Sequence, residues 1–125
     1  MSTRRAFDEP PLILDAGPLT IDEVADVAEG GRRVRIGPRG SEALQGCHEA
    51  LQRALGLDAA IYGVNTGFGS LARKRIAPDE LEQVQHNLIR SHAAGAGDPL
   101  PVADVRAMLL ILAASLCRGH SGVRP

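Results

Sequence analysis

Ten consecutive residues near the end of the chain, Met108 to Cys117, carry no charge and are flanked by Arg106 and Arg118. Met, Leu and Ala, which make up most of the run, are among the better helix formers. A bilayer-spanning helix takes about 20 apolar residues. The run is too short for that and is expected as a core helix, buried on nearly all sides. The chain has one tyrosine, two phenylalanines and no tryptophan, so its core must come from Leu, Val, Ile and Ala. Such a core suits packed helices better than a sheet sandwich, which points to a mainly α fold.

Hydrophobic residues make up 44% of the chain and charged ones 23%, ordinary globular usage with no case for disorder. At 125 residues there is enough chain for one domain with a modest core. Residues 1–11 are expected as a flexible leader and residues 12–125 as the folded portion. The leader has Arg4 and Arg5 but lacks the apolar stretch of about 7 to 15 residues that a secretory signal needs, so a cytoplasmic location is expected. A net charge of -1 provides no long-range attraction to nucleic acid or an anionic membrane. The Arg32, Arg33, Arg35, Arg39 cluster and the Arg73-Lys74-Arg75 run read as solvated faces. Cys47 and Cys117 each fall on the apolar side of an expected helix; a disulfide between them and two buried free thiols both fit, the thiols better.

Along the chain, Leu12-Ile13-Leu14 reads as a short strand ending in the turn cluster Asp15 to Pro18. Thr20 and Glu23 have the spacing of a capping box, with Leu19 and Val24 at the hydrophobic-staple positions. The helix they open is expected to bury Ile21, Val24 and Ala28 and to end at Gly30-Gly31. Residues 32–36 suggest a short edge strand pairing with 12–14. A second helix follows Gly37-Pro38, with Leu44, Cys47, Leu51 and Ala54 at helical spacing up to Gly56. A third begins after Pro78, favoured there by Asp79 and Glu80. Its apolar positions Leu81, Val84 and Leu88 recur at spacings that put His92 on the same, inward face, and Gly95 and Gly97 stop it. The uncharged run forms the last helix, starting near Pro101 or Val102.

Between the second and third helices lies Tyr62-Gly63-Val64-Asn65-Thr66-Gly67-Phe68-Gly69, which holds the only tyrosine and three of the 14 glycines. Glycine at 63, 67 and 69 permits positive φ and close approach of another surface, while Asn65 and Thr66 can hydrogen-bond locally to hold a turn. The loop would thus present Tyr62. It is not a phosphate loop of the Walker type, because the lysine that such a loop requires is replaced by Gly69. Nor does it complete G-x-G-x-x-G, since Ala72 stands in the last position. His48, His86 and His120 have no ligand spacing for a metal, and no G-x-S-x-G elbow supports a serine hydrolase.

This loop, together with Asn87-Leu88-Ile89-Arg90-Ser91-His92-Ala93-Ala94-Gly95 and Arg118-Gly119-His120-Ser121-Gly122-Val123-Arg124-Pro125, resembles three consecutive signatures of the aromatic amino acid lyases. The histidine ammonia-lyase branch is the most similar, and the resemblance covers roughly residues 12 to 125. It implies the N-terminal segment of the lyase fold, mainly α with a few short strands and a glycine-rich catalytic loop. It also implies non-oxidative elimination of ammonia from L-histidine to give trans-urocanate, in a homotetramer with shared active sites.

By the same resemblance Tyr62 matches the base that removes the β-carbon proton. Phenols ordinarily ionise near pH 10, so a tyrosine base calls for nearby positive charge or hydrogen-bond donors. His92 matches the residue that reads the substrate side chain; an imidazole can donate to or accept from the imidazole of L-histidine. Gly63, Asn65, Gly67 and Gly69 shape the loop.

No cofactor is expected to be bound. The family's electrophile is a methylidene-imidazolone made by cyclisation of an internal Ala-Ser-Gly, and no Ala-Ser-Gly occurs in these 125 residues. The chain alone is therefore expected to be inactive, to expose its last helix and to self-associate, or to join the rest of a lyase. The alternatives are a segment of a tyrosine or phenylalanine ammonia-lyase or aminomutase, against which the Ser91-His92 pair speaks, and a non-catalytic relative that associates with a complete lyase.

Overall fold

A computed structural model of the chain describes residues 9–57, 60–69 and 72–125. Most of the expected leader, residues 1–8, lies outside the described residues. The elements in order are β1 (Leu12–Leu14), α1 (Ile21–Ala28), β2 (Val34–Ile36), α2 (Pro38–Leu55), a 3-10 turn (Pro78–Glu80), α3 (Leu81–His92) and α4 (Val102–Leu116). The mainly α expectation is borne out. The chain divides into two compact units, one of residues 1–52 with 99–125 and one of residues 53–98.

In the first unit, β1 and β2 form a two-stranded parallel sheet with Leu12 opposite Val34, Ile13 opposite Arg35 and Leu14 opposite Ile36. Strand pleating sends alternate side chains to opposite faces. Leu12 and Leu14 accordingly point into the core while Ile13 is exposed. The parallel pairing needs a crossover, which α1 supplies.

The start of α1 is the expected capping box. The Glu23 amide donates to Thr20 Oγ1 at 3.2 Å, and the Thr20 amide donates to Glu23 Oε2 at 2.8 Å. Both Leu19 and Val24 pack against the core, as the staple requires. The buried stripe differs from the one expected: Val27 and Ala28 are buried, whereas Ile21 is 88% exposed. Ile21 is the first helical residue and lies on the rim of an open groove of about 580 Å3 that α1 and α4 form with Val24, Ala25, Ile111 and Ala114. Its side chain has nothing beyond that rim to pack on.

Leu12, Leu14, Val27, Leu44, Leu110, Ala114 and Cys117 form the core of this unit, all aliphatic apart from the thiol. The scarcity of aromatic residues is thus expressed directly in the packing.

The last helix is not buried on nearly all sides. Ala103, Ala107, Leu110, Ala114 and Cys117 form its covered side, recurring at spacings of four and three. This is a narrow seam of mainly small residues against α1 and the sheet. Met108 and Leu109 are 59% and 60% exposed, and Ile111 and Leu112 are exposed as well. A helix that is apolar all round has more surface to hide than one neighbouring layer can cover.

Two of the arginines expected on solvated faces hold the fold instead. Arg32 donates from Nε to the Pro10 carbonyl at 3.0 Å and pairs with Asp26 at 3.6 Å. Arg39 pairs with Asp15 at 2.8 Å.

Candidate active site

The second unit contains the tyrosine loop, and its local chemistry explains its shape. Val64 and Asn65 donate their amides to the Ile61 carbonyl, each at 3.1 Å, closing a turn around Tyr62 and Gly63. Asn65 Oδ1 returns the bond by accepting from the Ile61 amide at 2.6 Å. Thr66 Oγ1 accepts from the Gly63 amide at 3.3 Å and donates to the Gly67 carbonyl at 3.1 Å. Both side chains are buried, and they satisfy backbone groups that a turn leaves open.

Gly63 and Gly69 take positive φ values of 73° and 57°, a region that side-chain-bearing residues avoid. Gly67 is used differently. Its amide donates to the Lys74 carbonyl at 3.1 Å, Thr66 and Arg75 form an antiparallel bridge, and the Ile76 amide donates to the Asn65 carbonyl at 2.9 Å. The loop is therefore pinned to the segment that follows it. Arg73, Lys74 and Arg75 are exposed, as a solvated face requires, and Lys74 and Arg75 line the groove beside the loop.

Tyr62 is presented as expected, with 65% of its surface exposed. Its ring meets Phe68 edge to face, with centroids 6.1 Å apart and planes at 75°. Edge-to-face contact matches the positive edge of one ring to the negative face of the other. The contact fixes one side of the tyrosine and leaves the other open.

No residue of α3 is fully buried. His92 lies on the same face as Val84 and Leu88, but it is exposed rather than packed inward. The face borders an open groove of about 530 Å3, lined by Gly67 and Phe68 of the loop and by Asn87, Leu88, Ser91 and His92 of α3. Tyr62 is not among the groove-lining residues; Phe68, whose ring it meets, is. Asn87 and Ser91 are legible as groove-side residues, since they stand three residues after Val84 and Leu88.

The His92 ring is held at the end of its helix. Nδ1 lies 2.9 Å from the Leu88 carbonyl and 3.1 Å from Ser91 Oγ, and Ser91 Oγ donates to the same carbonyl at 2.9 Å.

The third sequence block belongs to the first unit, where α2 fastens it. The Gly122 amide donates to Cys47 Sγ at 3.1 Å, and the Gly122 carbonyl accepts from His48 Nδ1 at 3.0 Å. Both cysteines are free. Burial raises the pKa of the Cys117 thiol, which keeps it protonated and unreactive. His86 sits 3.7 Å from Glu82 one turn away, and no group of three or more metal-ligating side chains occurs among the described residues. None of the helices is long and apolar enough to cross a membrane, among the described residues.

The sequence model of the aromatic amino acid lyase family matches residues 19–125. Histidine ammonia-lyase of Paracidovorax citrulli (strain AAC00-1) is 42% identical over 116 residues, covering 93% of this chain and 23% of that protein. Among solved structures, tyrosine aminomutase from Streptomyces globisporus matches with a TM-score of 0.86 at 31% identity, covering 93% of this chain and 22% of its own. Ergothionase from Treponema denticola, in complex with desmethyl-ergothioneine sulfonic acid, matches with a TM-score of 0.87 at 30% identity, covering 92% and 23%. The chain spans less than a quarter of the length of these proteins.

Proposed function

This chain belongs to the aromatic amino acid lyase family, and we propose that it is the N-terminal segment of a histidine ammonia-lyase, eliminating ammonia from L-histidine to give trans-urocanate. The observation that carries the reading is the shared groove of the second unit. There the loop that presents Tyr62 and the helix end that presents His92 border one cavity of about 530 Å3, the size of a small-molecule site.

In this reading Tyr62 is the base. The β-carbon proton is weakly acidic, so removing it needs a positioned acceptor with access to the substrate, and Tyr62 is both exposed and held on one side by Phe68. Lys74 and Arg75 supply positive charge at the groove, which favours an anionic substrate carboxylate. His92 reads the substrate ring, and Asn87 and Ser91 add polar groups beside it. The Ser91-His92 pair and the 42% identical histidine ammonia-lyase both favour L-histidine over tyrosine.

The reaction also requires an electron sink for the bonding pair that the departing proton leaves on carbon. A methylidene-imidazolone cyclised from Ala-Ser-Gly would supply it in the family, but these 125 residues contain no such tripeptide. This chain's residues do not form that group. The electrophile and the remaining site residues come from the rest of the lyase, assembled as a homotetramer in the cytoplasm.

Tyr62→Phe in the intact lyase built on this segment tests the assignment. Loss of turnover by roughly a hundredfold or more with the fold retained is the expected result, the usual scale for a general base. Near-normal turnover would remove Tyr62 from that role. The intact mass of the endogenous polypeptide separates the enzyme from a non-catalytic relative. A mass well above 13.2 kDa supports the enzyme, and a mass of 13.2 kDa supports the relative.

A further inference from the structure

His92 has two ring nitrogens, and the structure uses them differently. Nδ1 lies 2.9 Å from the Leu88 carbonyl oxygen, a group that can only accept a hydrogen bond. Two acceptors at that distance would repel, so Nδ1 carries a proton. Ser91 Oγ donates its own proton to the same carbonyl at 2.9 Å and lies 3.1 Å from Nδ1, with its lone pairs left to share the imidazole N–H. In a neutral ring the proton on Nδ1 leaves Nε2 bare, an acceptor with no partner among the described residues. The ring carrying it lines the groove.

We propose that the Leu88 carbonyl and the Ser91 hydroxyl hold His92 in its Nδ1–H tautomer, so that the ring subsite selects a ligand that offers an N–H or O–H donor to Nε2. Ser91 is a positioning residue in this scheme, acting through its contact with His92. An imidazole N–H and a phenol O–H both satisfy Nε2, whereas an unsubstituted phenyl ring leaves it unpaired. This inference rests on the reading of His92 as a substrate contact, and it adds the direction of the hydrogen bond and the residue that sets it.

The test is nitrogen-15 NMR of the full 125-residue chain at alkaline pH, where imidazoles are neutral, with the His92 signals identified by their loss in His92→Gln. The expected result is a predominantly Nδ1–H ring, a rise in the Nε2–H form in Ser91→Ala, and restoration in Ser91→Thr. Added imidazole, which carries an N–H, should shift the His92 Nε2 signal; N-methylimidazole, which has none, should bind roughly fivefold more weakly, the effect of one lost neutral hydrogen bond. A predominantly Nε2–H ring in the unaltered chain overturns the inference, as does an equal response to the two probes. A tautomer ratio unmoved by Ser91→Ala overturns the role of Ser91. None of these readouts depends on Tyr62 turnover, so failure here and failure of the lyase assignment are told apart.

Discussion

Asp15 caps a helix that begins more than twenty residues later in the chain. Its Oδ1 accepts the backbone amide of Arg39 at 2.7 Å and its Oδ2 accepts Arg39 Nε at 2.8 Å, while the Gly40 amide adds a third bond at 3.2 Å. Arg39 and Gly40 lie in the first turn of α2, where amides have no partner within the helix. The turn after β1 thus supplies the N-terminal cap that α2 lacks locally, and it ties the sheet to the helix.

The bond from the Arg39 side chain, helped by the two backbone amides and opposed by partial burial, holds the Asp15 carboxyl below its ordinary value of 3.8. A lowered folded-state value means that the ionised group stabilises the fold fully above 3.8, and that this contribution fades as the pH falls through the lower folded value. Asp15→Ala should therefore lower the melting temperature at pH 7. The gap between variant and parent should close in acid, below pH 3.8. Melting curves across that range check both statements, and a gap constant with pH would refute the linkage.

Two glycines of α2 should respond oppositely to alanine. A Cβ at Gly46 meets nothing within 4 Å, so Gly46→Ala should gain about 1 kcal/mol from helix propensity alone. A Cβ at buried Gly40 would collide with the Leu14 carbonyl oxygen and touch Ile36 Cγ2 at 3.4 Å. Gly40→Ala should then cost about 1–3 kcal/mol, since the backbone of β1 must give way. Chemical denaturation of the two variants side by side is the check.

Asn65→Ala should loosen the tyrosine loop without disturbing the first unit. It strands the partly buried Ile61 amide whose bond Asn65 Oδ1 now accepts at 2.6 Å, at a cost of about 1 kcal/mol. Hydrogen exchange at Ile61 should speed up while the amides of α1 and α2 stay protected. Unchanged exchange at Ile61 would show that the side chain is not what holds the turn.

The exposed side of α4 should drive self-association. Met108, Leu109, Ile111 and Leu112 are each more than half exposed on one helix, a grouping that soluble monomers rarely leave uncovered. Sedimentation of the 125-residue chain should show concentration-dependent oligomers, and the double variant Leu109→Gln, Leu112→Gln should shift them towards monomer. A monodisperse parent chain would contradict this.

The capping box at Thr20 and Glu23, the limits of α4, the start of α3 after Pro78 and the Asn65-Thr66 turn were all legible in the sequence. Each depends on groups within a few residues of one another, so spacing alone specifies the partners. The exposure of Ile21 and of His92 was not legible. Periodicity says which residues share a face, but not whether another layer lies over that face. The roles of Arg32 and Arg39 escaped for the same reason: a charged residue reads as solvated until its distant partner is known.

The helical class, the aliphatic core, the loop that presents Tyr62 and the membership in a lyase family could be read from the order of residues alone. All of these follow from local propensity, residue supply and motif order. Folding in three dimensions was needed to reveal that β1 and β2 run parallel in register, that Asp15 caps α2, that Cys47 and His48 hold Gly122, and that Phe68 and His92 border one groove. Those relationships join residues about 20 or more positions apart, and their energies depend on distances that folding alone creates.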